Sequence, residues 1–383
     1  MRDPVTAPLA RRTLLSLAGA AALAPSASFA KQLKRPEPAP PVYDRSIVID
    51  AQGGVFDDGP FNADEKFRPA LAEVLRTSGV TVVSTTVNEV GNGPDRFRSA
   101  VSNIADADRL FASNADLLMP ILSGADIVRA KREKKVGLIL NFQDTTPLET
   151  DPANVGLFRG LGVRIIQLTY NKRNLCGDGS LEVADAGLSD LGRQMIAEIN
   201  AKRVLLDLSH AGRRTMAEGA AASKAPPAIT HTGARALADN PRNSEDSTLK
   251  LVADKGGVCG VYMMPFLKPG VQPHSEHFLA HLEHFIQVCG EDHVGIGTDG
   301  GVPPVKLDAA YWEQQRKFVA DRKAKGISAP GESGDIANVV MEYNTPRRLE
   351  TLAFDLSKRG HSDARIEKIL GANFARLFGE VWG

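Results

Sequence analysis

Cysteine is scarce in this 383-residue chain, which contains only Cys176, Cys259 and Cys289. An odd number of widely spaced cysteines excludes a disulfide framework, although a single bridge remains open in an oxidising compartment. Cys259 lies in an apolar run, which is typical of a core residue. The chain also lacks any Cys-x-x-Cys pair, so a cysteine-based zinc site of that pattern is excluded.

An excess of charge of either sign is also absent, because 46 basic residues balance 46 acidic ones. This balance gives no support for a nucleic-acid or membrane-surface partner. Outside the N-terminal leader, no apolar run reaches the length of a membrane span. Hydrophobic residues make up 43% of the chain, which is normal for a protein with a full core. The roughly 350 residues after the leader suit one large barrel or two ordinary domains.

The first 30 residues have the pattern of an export signal. Arg11-Arg12 precede a short apolar run that extends to Ala24, and Ser28-Phe29-Ala30 offers a small-x-small cleavage site. We therefore expect residues 1–30 to be a signal peptide of the twin-arginine type, with an ordinary secretory signal as the alternative. Residues 31–45 are Pro-rich in their first part and are predicted to be a linker. The expected location of the mature protein is the periplasm.

Strand-like apolar runs recur along residues 46–383 and alternate with helical patterns. Eight such runs start at Ser46, Val80, Val136, Val163, Val204, Ala228, Gly257 and Val294. Eight alternating units predict an α/β protein with a (β/α)8 TIM barrel. A short helix is also predicted over Ala234–Asp239. From Val305 onward the pattern is largely helical, with a last helix over Asp363–Phe378, which predicts a C-terminal helical extension.

Three polar residues follow strand-like runs directly. His210 comes after the run that begins at Val204, His231 ends the next run, and Asp299 follows Val294–Thr298. In a β/α barrel the carboxyl ends of the strands form the rim where catalysis takes place. Two imidazoles at neighbouring rim positions are suited to share one metal ion, and a nearby carboxylate is suited to proton transfer. Asp207, inside the strand before His210, is predicted to orient a partner.

Each of these residues also has a structural interpretation. The two histidines are alternatively hydrogen-bonded rim residues without metal, and Asp299 is alternatively a turn residue. Arg242, in a predicted rim loop, would hold a substrate carboxylate in two parallel hydrogen bonds or would form a surface salt bridge. A second group of histidines, on a predicted outer helix, is not expected to bind metal: His274, His277, His281 and His284.

Several motifs resemble those of the membrane (renal) dipeptidase family of metallopeptidases, which belongs to the amidohydrolase superfamily of β/α barrels. The motifs are LLDLSHAGRRT, PAITHTGARAL, NPRN, HVGIGTDGG and ILGANFARLFG. The resemblance extends from about Ser46 to Phe378 and implies a metal-dependent hydrolase barrel that acts on dipeptide-like substrates. It also implies that His210 and His231 are metal ligands, that Asp299 is the catalytic acid and base, and that Arg242 anchors the substrate carboxylate.

The sequence departs from the family at four positions. The family's first strand ends in a His-x-Asp pair that binds one of two zinc ions, and here Gln52 and Gly54 stand in those places. The glutamate that bridges the ions corresponds to Gln143, and a histidine that helps bind the reacting substrate corresponds to Tyr170. A neutral amide cannot bridge two cations as a carboxylate does. The resemblance therefore implies that one metal position has lost its ligands.

The replacements resemble a recurrent bacterial branch of the family that is labelled dipeptidase-like. We therefore expect a hydrolase with one divalent metal, expected to be zinc, that cleaves an amide bond in a dipeptide or small modified amino acid. The expected substrate-binding residues are Arg242, Tyr170, Asn171 and Gln143. The alternatives are a non-catalytic periplasmic binding protein on the same scaffold and a different C–N reaction on this barrel. A homodimer is implied by the resemblance alone.

Overall fold

A sheet of parallel strands forms the centre of the fold in the computed structural model, which describes residues 40–56 and 62–383. Its strands and those of a smaller sheet are β1 (Ile49–Asp50), β2 (Gly53–Gly54), β3 (Val82–Thr86), β4 (Leu118–Pro120), β5 (Val136–Phe142), β6 (Val163–Gln167), β7 (Leu205–Asp207), β8 (Ala228–Thr232), β9 (Val258–Val261), β10 (Val294–Ile296) and β11 (Gly300–Gly301).

Helices lie between the strands and after the last of them. They are α1 (Pro41–Arg45), α2 (Pro69–Thr77), α3 (Arg96–Ser113), α4 (Gly124–Glu133), α5 (Asn154–Gly160), α6 (Asp190–Ala201), α7 (Arg213–Ala222), α8 (Asp246–Asp254), α9 (Ser275–Cys289), α10 (Ala309–Ala324), α11 (Arg348–Lys358), α12 (Asp363–Glu367) and α13 (Asn373–Trp382). A π-helical turn, Lys368–Ala372, separates α12 from α13. No helix within residues 40–56 and 62–383 is long and apolar enough to cross a membrane.

The central sheet is the predicted barrel. Its strands are hydrogen-bonded in the order β1, β3, β5, β6, β7, β8, β9 and β10. Every pair is parallel. The Ala51 N–H donates to the Ile296 carbonyl at 2.9 Å, which connects the first strand to the last. Each of the eight predicted apolar runs supplies one of these strands, so the predicted (β/α)8 fold is confirmed.

Burial on both faces explains why apolar runs rather than alternating patterns specify the strands. All seven residues of β5 are buried, because one face lines the barrel and the other packs against the helices. The helices that pack against the strands are amphipathic, with their apolar face toward the sheet. In α2, for example, Leu71, Val74 and Leu75 are buried at helical spacing. This arrangement places the carboxyl ends of all eight strands, and the residues that follow them, on one rim.

Two local features differ from the prediction. Strand β4 pairs with the first half of β5, and its three residues are too few to be recognised by periodicity. Residues 234–239, predicted as a short helix, form turns instead. The Asn243 side-chain amide donates to the Ala238 carbonyl at 2.8 Å, and Ala234 forms a bridge with Ser244. These local bonds compete with helix formation and fold the rim loop back on itself.

The end of the predicted linker belongs to the folded domain. Helix α1 lies within residues 31–45, and its Val42 and Tyr43 side chains are buried. The Tyr43 hydroxyl donates to the Ser78 carbonyl at 2.7 Å. Because two apolar side chains gain burial, the folded domain includes α1 as well as the predicted domain from Ser46 onward. The predicted signal peptide and residues 31–39 lie outside the described residues.

The C-terminal helix closes the end of the barrel opposite the rim. In α13, Phe374, Leu377, Phe378 and Trp382 pack against apolar side chains near the start of the strands. The approach depends on Gly371, because a β-carbon there would lie 2.4 Å from the Ile47 carbonyl oxygen. The predicted single helix over 363–378 is therefore interrupted where the chain passes closest to β1.

Candidate active site

The predicted site residues lie on the rim, at the carboxyl ends of the strands. They are Gln143 after β5, Tyr170 and Asn171 after β6, His210 after β7, His231 within β8, Arg242 in the loop after β8, and Asp299 after β10. Direct contacts join four of them. His210 contacts His231 and Asn171, and its ring stacks on Tyr170 with centroids 4.1 Å apart. The structure thus brings together residues that are far apart in sequence.

Three of these residues have left-handed backbone conformations. The φ angles are 43° at Asn171, 61° at His210 and 58° at Asp299. Side chains other than glycine adopt this region at an energetic cost, and such residues concentrate at functional sites. The sharp turn directly after the strand directs each side chain into the rim.

The hydrogen bonds of His210 determine which ring nitrogen carries the proton. Its Nδ1 lies 2.7 Å from the Asn171 side-chain oxygen. The Asn171 amide nitrogen donates to the Ile327 carbonyl, so the oxygen of that amide is the atom that faces the ring. Nδ1 therefore donates, and the lone pair is on Nε2.

The hydrogen bonds of His231 lead to the same tautomer. Its Nδ1 lies 2.9 Å from the Thr230 hydroxyl. That hydroxyl donates its own proton to Asp207 at 2.6 Å, so it accepts from the ring. The lone pair of His231 is again on Nε2.

The two lone pairs face each other. The Nε2 atoms of His210 and His231 are 2.9 Å apart, and both rings are buried. Burial and the nearby Arg242 lower the pKa of both imidazoles well below the usual value, so both are neutral. Two neutral nitrogen lone pairs at this distance repel each other unless a cation lies between them. The donor set therefore fits a divalent metal ion.

Two buried aspartates brace the strands on which the site is built. Asp207 accepts hydrogen bonds from the backbone and hydroxyl of Ser209 and of Thr230, the neighbours of the two histidines. Asp50 does the same for Thr298, the neighbour of Asp299. Each aspartate thereby holds the end of the neighbouring strand: Asp207 on β7 holds β8, and Asp50 on β1 holds the end of β10. The predicted supporting role of Asp207 matches these contacts.

Asp299 has the protonation behaviour of an acid–base group. Burial raises the pKa of its carboxyl to about 6, and the guanidinium groups of Arg242 and Arg322 oppose that rise. No hydrogen bond to its carboxylate is present among residues 40–56 and 62–383. A carboxylate with a near-neutral pKa and no fixed partner can both accept and release a proton.

Arg242 is a buried cation without an ionic partner in the described part of the chain. Its side chain is 2% exposed, and Nη2 has no hydrogen-bond partner. The rings of Tyr262 and Phe266 lie 5.8 and 5.9 Å from the guanidinium carbon. A buried unpaired charge is costly, so this geometry indicates an anion site rather than a surface salt bridge.

A neutral hydrogen-bond network occupies the rim at β1, β3 and β5. The Asn141 amide donates to Gln52 at 3.1 Å and to Ser84 at 2.7 Å. The Gln52 amide donates to Thr86 at 3.0 Å, and the Thr86 hydroxyl donates to the Asn141 oxygen at 3.0 Å. The amides of Gln52 and Asn141 satisfy each other, and no charged group takes part.

Comparison with known proteins assigns the family. The sequence profile of the membrane dipeptidases, peptidase family M19, matches residues 71–316. This chain belongs to the membrane dipeptidase family. It is similar to a Pseudomonas aeruginosa amidohydrolase of known structure, with 34% identity and a TM-score of 0.75 over 89% of this chain and 98% of that chain.

Other members of the family share the sequence or the fold. An uncharacterized dipeptidase of Schizosaccharomyces pombe is 32% identical over 258 residues, which are 64% of this chain and 61% of that protein. A metallopeptidase from Rhodobacter sphaeroides, liganded with a phosphinate mimic of the dipeptide L-Ala-D-Ala, has a TM-score of 0.70. It is 18% identical, and the alignment covers 88% of this chain and all of the other, so it supports the fold alone. Because the present chain belongs to the membrane dipeptidase family, it is a hydrolase.

The remaining predicted residues are less directly connected to the histidine pair. In this membrane dipeptidase homologue, the Gln143 backbone N–H donates to Asn88 at 2.8 Å, but its side chain makes no hydrogen bond among the described residues. Within residues 40–56 and 62–383, no group of three or more His, Cys, Asp or Glu side chains is arranged to hold a metal ion. The histidine pair is therefore the feature of the described rim whose donor atoms fit a metal ion.

The second group of histidines makes hydrogen bonds and ion pairs away from the histidine pair of the rim. His281 accepts a hydrogen bond from Ala234 and donates to Leu267, while His274 and His284 pair with carboxylates. The three cysteines are buried and free, and Cys259 lies in the core.

Two contributors to the site were missed in the sequence. Asp50 had a detectable signal, since an ionisable residue inside the apolar run SIVIDA parallels Asp207 in VLLDLS. Arg322 had none, because it lies on a tail helix more than 20 residues beyond Asp299 in sequence. Its Nη1 donates to the Tyr170 hydroxyl at 2.9 Å.

Proposed function

We propose that this protein is a metal-dependent hydrolase that cleaves the amide bond of a dipeptide or of a small N-acylated or otherwise modified amino acid. The observation that carries the proposal is the 2.9 Å approach of the His210 and His231 Nε2 lone pairs, both fixed by hydrogen bonds on the opposite nitrogen. These two imidazoles would hold one divalent ion, which we propose is zinc. Bound zinc would supply Lewis acidity for the scissile carbonyl and acidity for an attacking water.

Asp299 is the proposed proton-transfer group. Its carboxylate takes a proton from the attacking water as the new C–O bond forms. It returns that proton to the amine nitrogen as the C–N bond breaks. A pKa of about 6 suits both steps near neutral pH, because the group is mostly ionised before attack and regains the acid form readily.

Arg242 is the proposed anchor for the substrate's carboxylate. An incoming carboxylate gives the buried guanidinium the charge partner that it lacks among the described residues. Two parallel N–H···O bonds would orient the substrate and place its amide near the histidines. The R. sphaeroides fold relative is liganded with a dipeptide mimic, which supports the same substrate class here.

Gln143, Tyr170 and Asn171 complete the proposed substrate site. The resemblance implies that a second metal position near β1 has lost its ligands, and the neutral network around Gln52 and Asn141 supports that interpretation. Without a carboxylate or imidazole to compensate a second charge, a neutral network favours one ion over two. We therefore propose a mononuclear site.

The test compares dipeptides with their C-terminal amides, using zinc-loaded protein. Hydrolysis of dipeptides, with kcat/KM on the order of 100-fold lower for the amides, is expected if Arg242 binds the carboxylate. Arg242→Met should remove that discrimination and raise the thermal stability of the ligand-free protein, since it eliminates a buried unpaired charge. Arg235→Met is the matched control, because Arg235 lies in the same loop but pairs with Asp239.

Two outcomes contradict the proposal. Absence of hydrolysis across the panel by zinc-loaded protein rejects the hydrolase, and binding without turnover would favour a binding protein. Unchanged discrimination in Arg242→Met would reject the assigned role of this arginine.

A further inference from the structure

A buried ion pair in the C-terminal extension lies beside the site. Arg322, near the end of α10, donates from Nε to Glu332 at 2.7 Å and from Nη2 to the other carboxylate oxygen at 2.8 Å. The side chains are 13% and 5% exposed, respectively. Both residues lie beyond residues 71–316, the part that matches the family profile. Two parallel charge-assisted bonds in a buried setting make this pair geometrically specific.

The ion pair also fixes the loop between its two residues. Arg322 Nη2 donates to the Ile327 carbonyl at 3.1 Å, and the Ala329 N–H donates to Glu332 at 3.0 Å. We call Arg322, Ile327 and Glu332 the clamp. Because each clamp residue is bonded to another, the loop presents its polar atoms to the rim in one arrangement.

The clamp makes two hydrogen bonds to adjacent residues of the site. Arg322 Nη1 donates to the Tyr170 hydroxyl at 2.9 Å, and the Ile327 carbonyl accepts from the Asn171 amide at 2.8 Å. Both site residues contact His210: Tyr170 stacks on the ring, and Asn171 accepts from Nδ1. The clamp therefore holds both the ring that stacks on His210 and the amide that sets the tautomer of His210.

The clamp also determines what the Tyr170 hydroxyl can do. That oxygen accepts from Arg322, which directs the phenolic proton away from the guanidinium. The hydroxyl donates no hydrogen bond within the part of the chain that the structure describes, and the residue is 8% exposed. A buried, oriented donor without an acceptor is suited to stabilise a developing negative charge on a substrate oxygen.

We infer that Arg322 and Glu332 are positioning residues, which hold Asn171 so that His210 keeps its Nε2 lone pair free and hold Tyr170 so that its hydroxyl donates to the carbonyl oxygen of the substrate. The role toward Tyr170 rests on the proposed hydrolytic function. The role toward His210 does not, because it concerns the ring before metal or substrate binds.

The test of the His210 arm uses metal-free protein. Nitrogen-15 NMR of the histidine side chains should show His210 as a single Nδ1–H tautomer in the parent and as a tautomer mixture in Arg322→Lys and Glu332→Gln. Zinc affinity, measured by chelator competition, should fall about 10- to 100-fold in both variants. Arg322→Lys retains the positive charge, so a purely electrostatic effect would leave its affinity unchanged. Parent-like spectra and affinity in both variants would overturn the inference.

Arg316→Met is the matched control for this arm. Arg316 lies on the same helix and faces Asp335 at 3.8 Å, but the pair is 57% and 86% exposed and does not contact the site. It should keep the parent's spectrum and zinc affinity. A change equal to that in Arg322→Lys would mean that the clamp acts only through general stability.

The Tyr170 arm is kinetic. Tyr170→Phe should lower kcat for a dipeptide about 10- to 100-fold with little change in KM, because the hydroxyl acts on charge that develops during reaction. In zinc-saturated protein, adding Arg322→Lys to Tyr170→Phe should cause no further fall in kcat, because the hydroxyl that Arg322 positions is already absent. A parent-like kcat in Tyr170→Phe would overturn this arm. If the parent hydrolyses no dipeptide, the proposed function fails, while the spectra of His210 still decide the role of the clamp.

Discussion

At the residue scale, the chemistry depends on the protonation of Asp299. Its pKa is raised to about 6, so the carboxylate form that accepts a proton from water is lost below that pH. We predict that kcat/KM rises with pH through about 6 and then levels. Asp299→Asn should lower kcat by roughly 10² to 10⁴ and keep zinc affinity. Full activity in this variant, measured with a dipeptide, would show that another group transfers the proton.

Residue-level predictions succeeded where a residue type stood at a recognisable topological position. His210, His231 and Asp299 each follow an apolar run, so their common rim could be predicted. Arg322 could not, because no periodicity or spacing relates a residue on a tail helix to a strand end. The hydrogen-bonded tautomers of the histidines likewise depend on contacts such as that of Asn171 with Ile327, which only the folded chain brings together.

At the element scale, we propose that the ends of β1 and β5 limit the site to one metal ion. Gln143→Glu alone should leave zinc at or below one per chain, because Gln52 and Gly54 still offer no imidazole or carboxylate. The triple variant with Gln52→His and Gly54→Asp should approach two. The structure has room at Gly54, where an added β-carbon meets no atom within 4 Å. Two tightly held ions in the single variant, by metal analysis, would refute the loss of the second position.

Helix α9 provides a test of stability against pH. Burial lowers the pKa of His281 from 6.5 to about 4, although the hydrogen bond from its Nε2 to the Leu267 carbonyl opposes that fall. Below pH 6.5 the unfolded chain binds a proton that the folded chain resists. Stability from this group is therefore full above pH 6.5 and is lost as the pH falls toward 4, by about 3 kcal/mol. His281→Gln should remove that part of the slope in denaturant unfolding, and identical slopes would argue against it.

The elements themselves were predictable to different degrees. Strands buried on both faces appear as apolar runs, which is why all eight barrel strands could be placed. The three-residue β4 and the interruption before α13 could not, since the first is too short for a period and the second reflects the contact of Gly371 with Ile47. Local side-chain bonds at Asn243, which replace the predicted helix over 234–239, also have no periodic signal.

At the scale of the whole molecule, the barrel is closed at one end and supported at the other. Helix α13 fills the base, while the segment from α10 to Glu332 reaches the rim. The extension that the sequence predicts only as helical therefore contributes both stability and site geometry. This division suits a family whose chemistry is located at strand ends.

Export is proposed from the leader, which precedes the described residues. Replacement of Arg11-Arg12 by Lys-Lys should retain the protein in the cytoplasm, because the paired arginines are the address that the twin-arginine route reads. Fractionation of cells that express the parent or the variant measures this. Equal periplasmic accumulation would favour an ordinary secretory signal.

We propose that one metal ion lies between the imidazoles of His210 and His231. The most direct measurement is zinc per chain, by elemental analysis after dialysis, for the parent, His210→Ala and His231→Ala. We expect one zinc in the parent and loss of tightly bound zinc in both variants, since either change removes one of the two facing lone pairs. A metal-free parent after zinc loading, or the same zinc content in all three proteins, would contradict it.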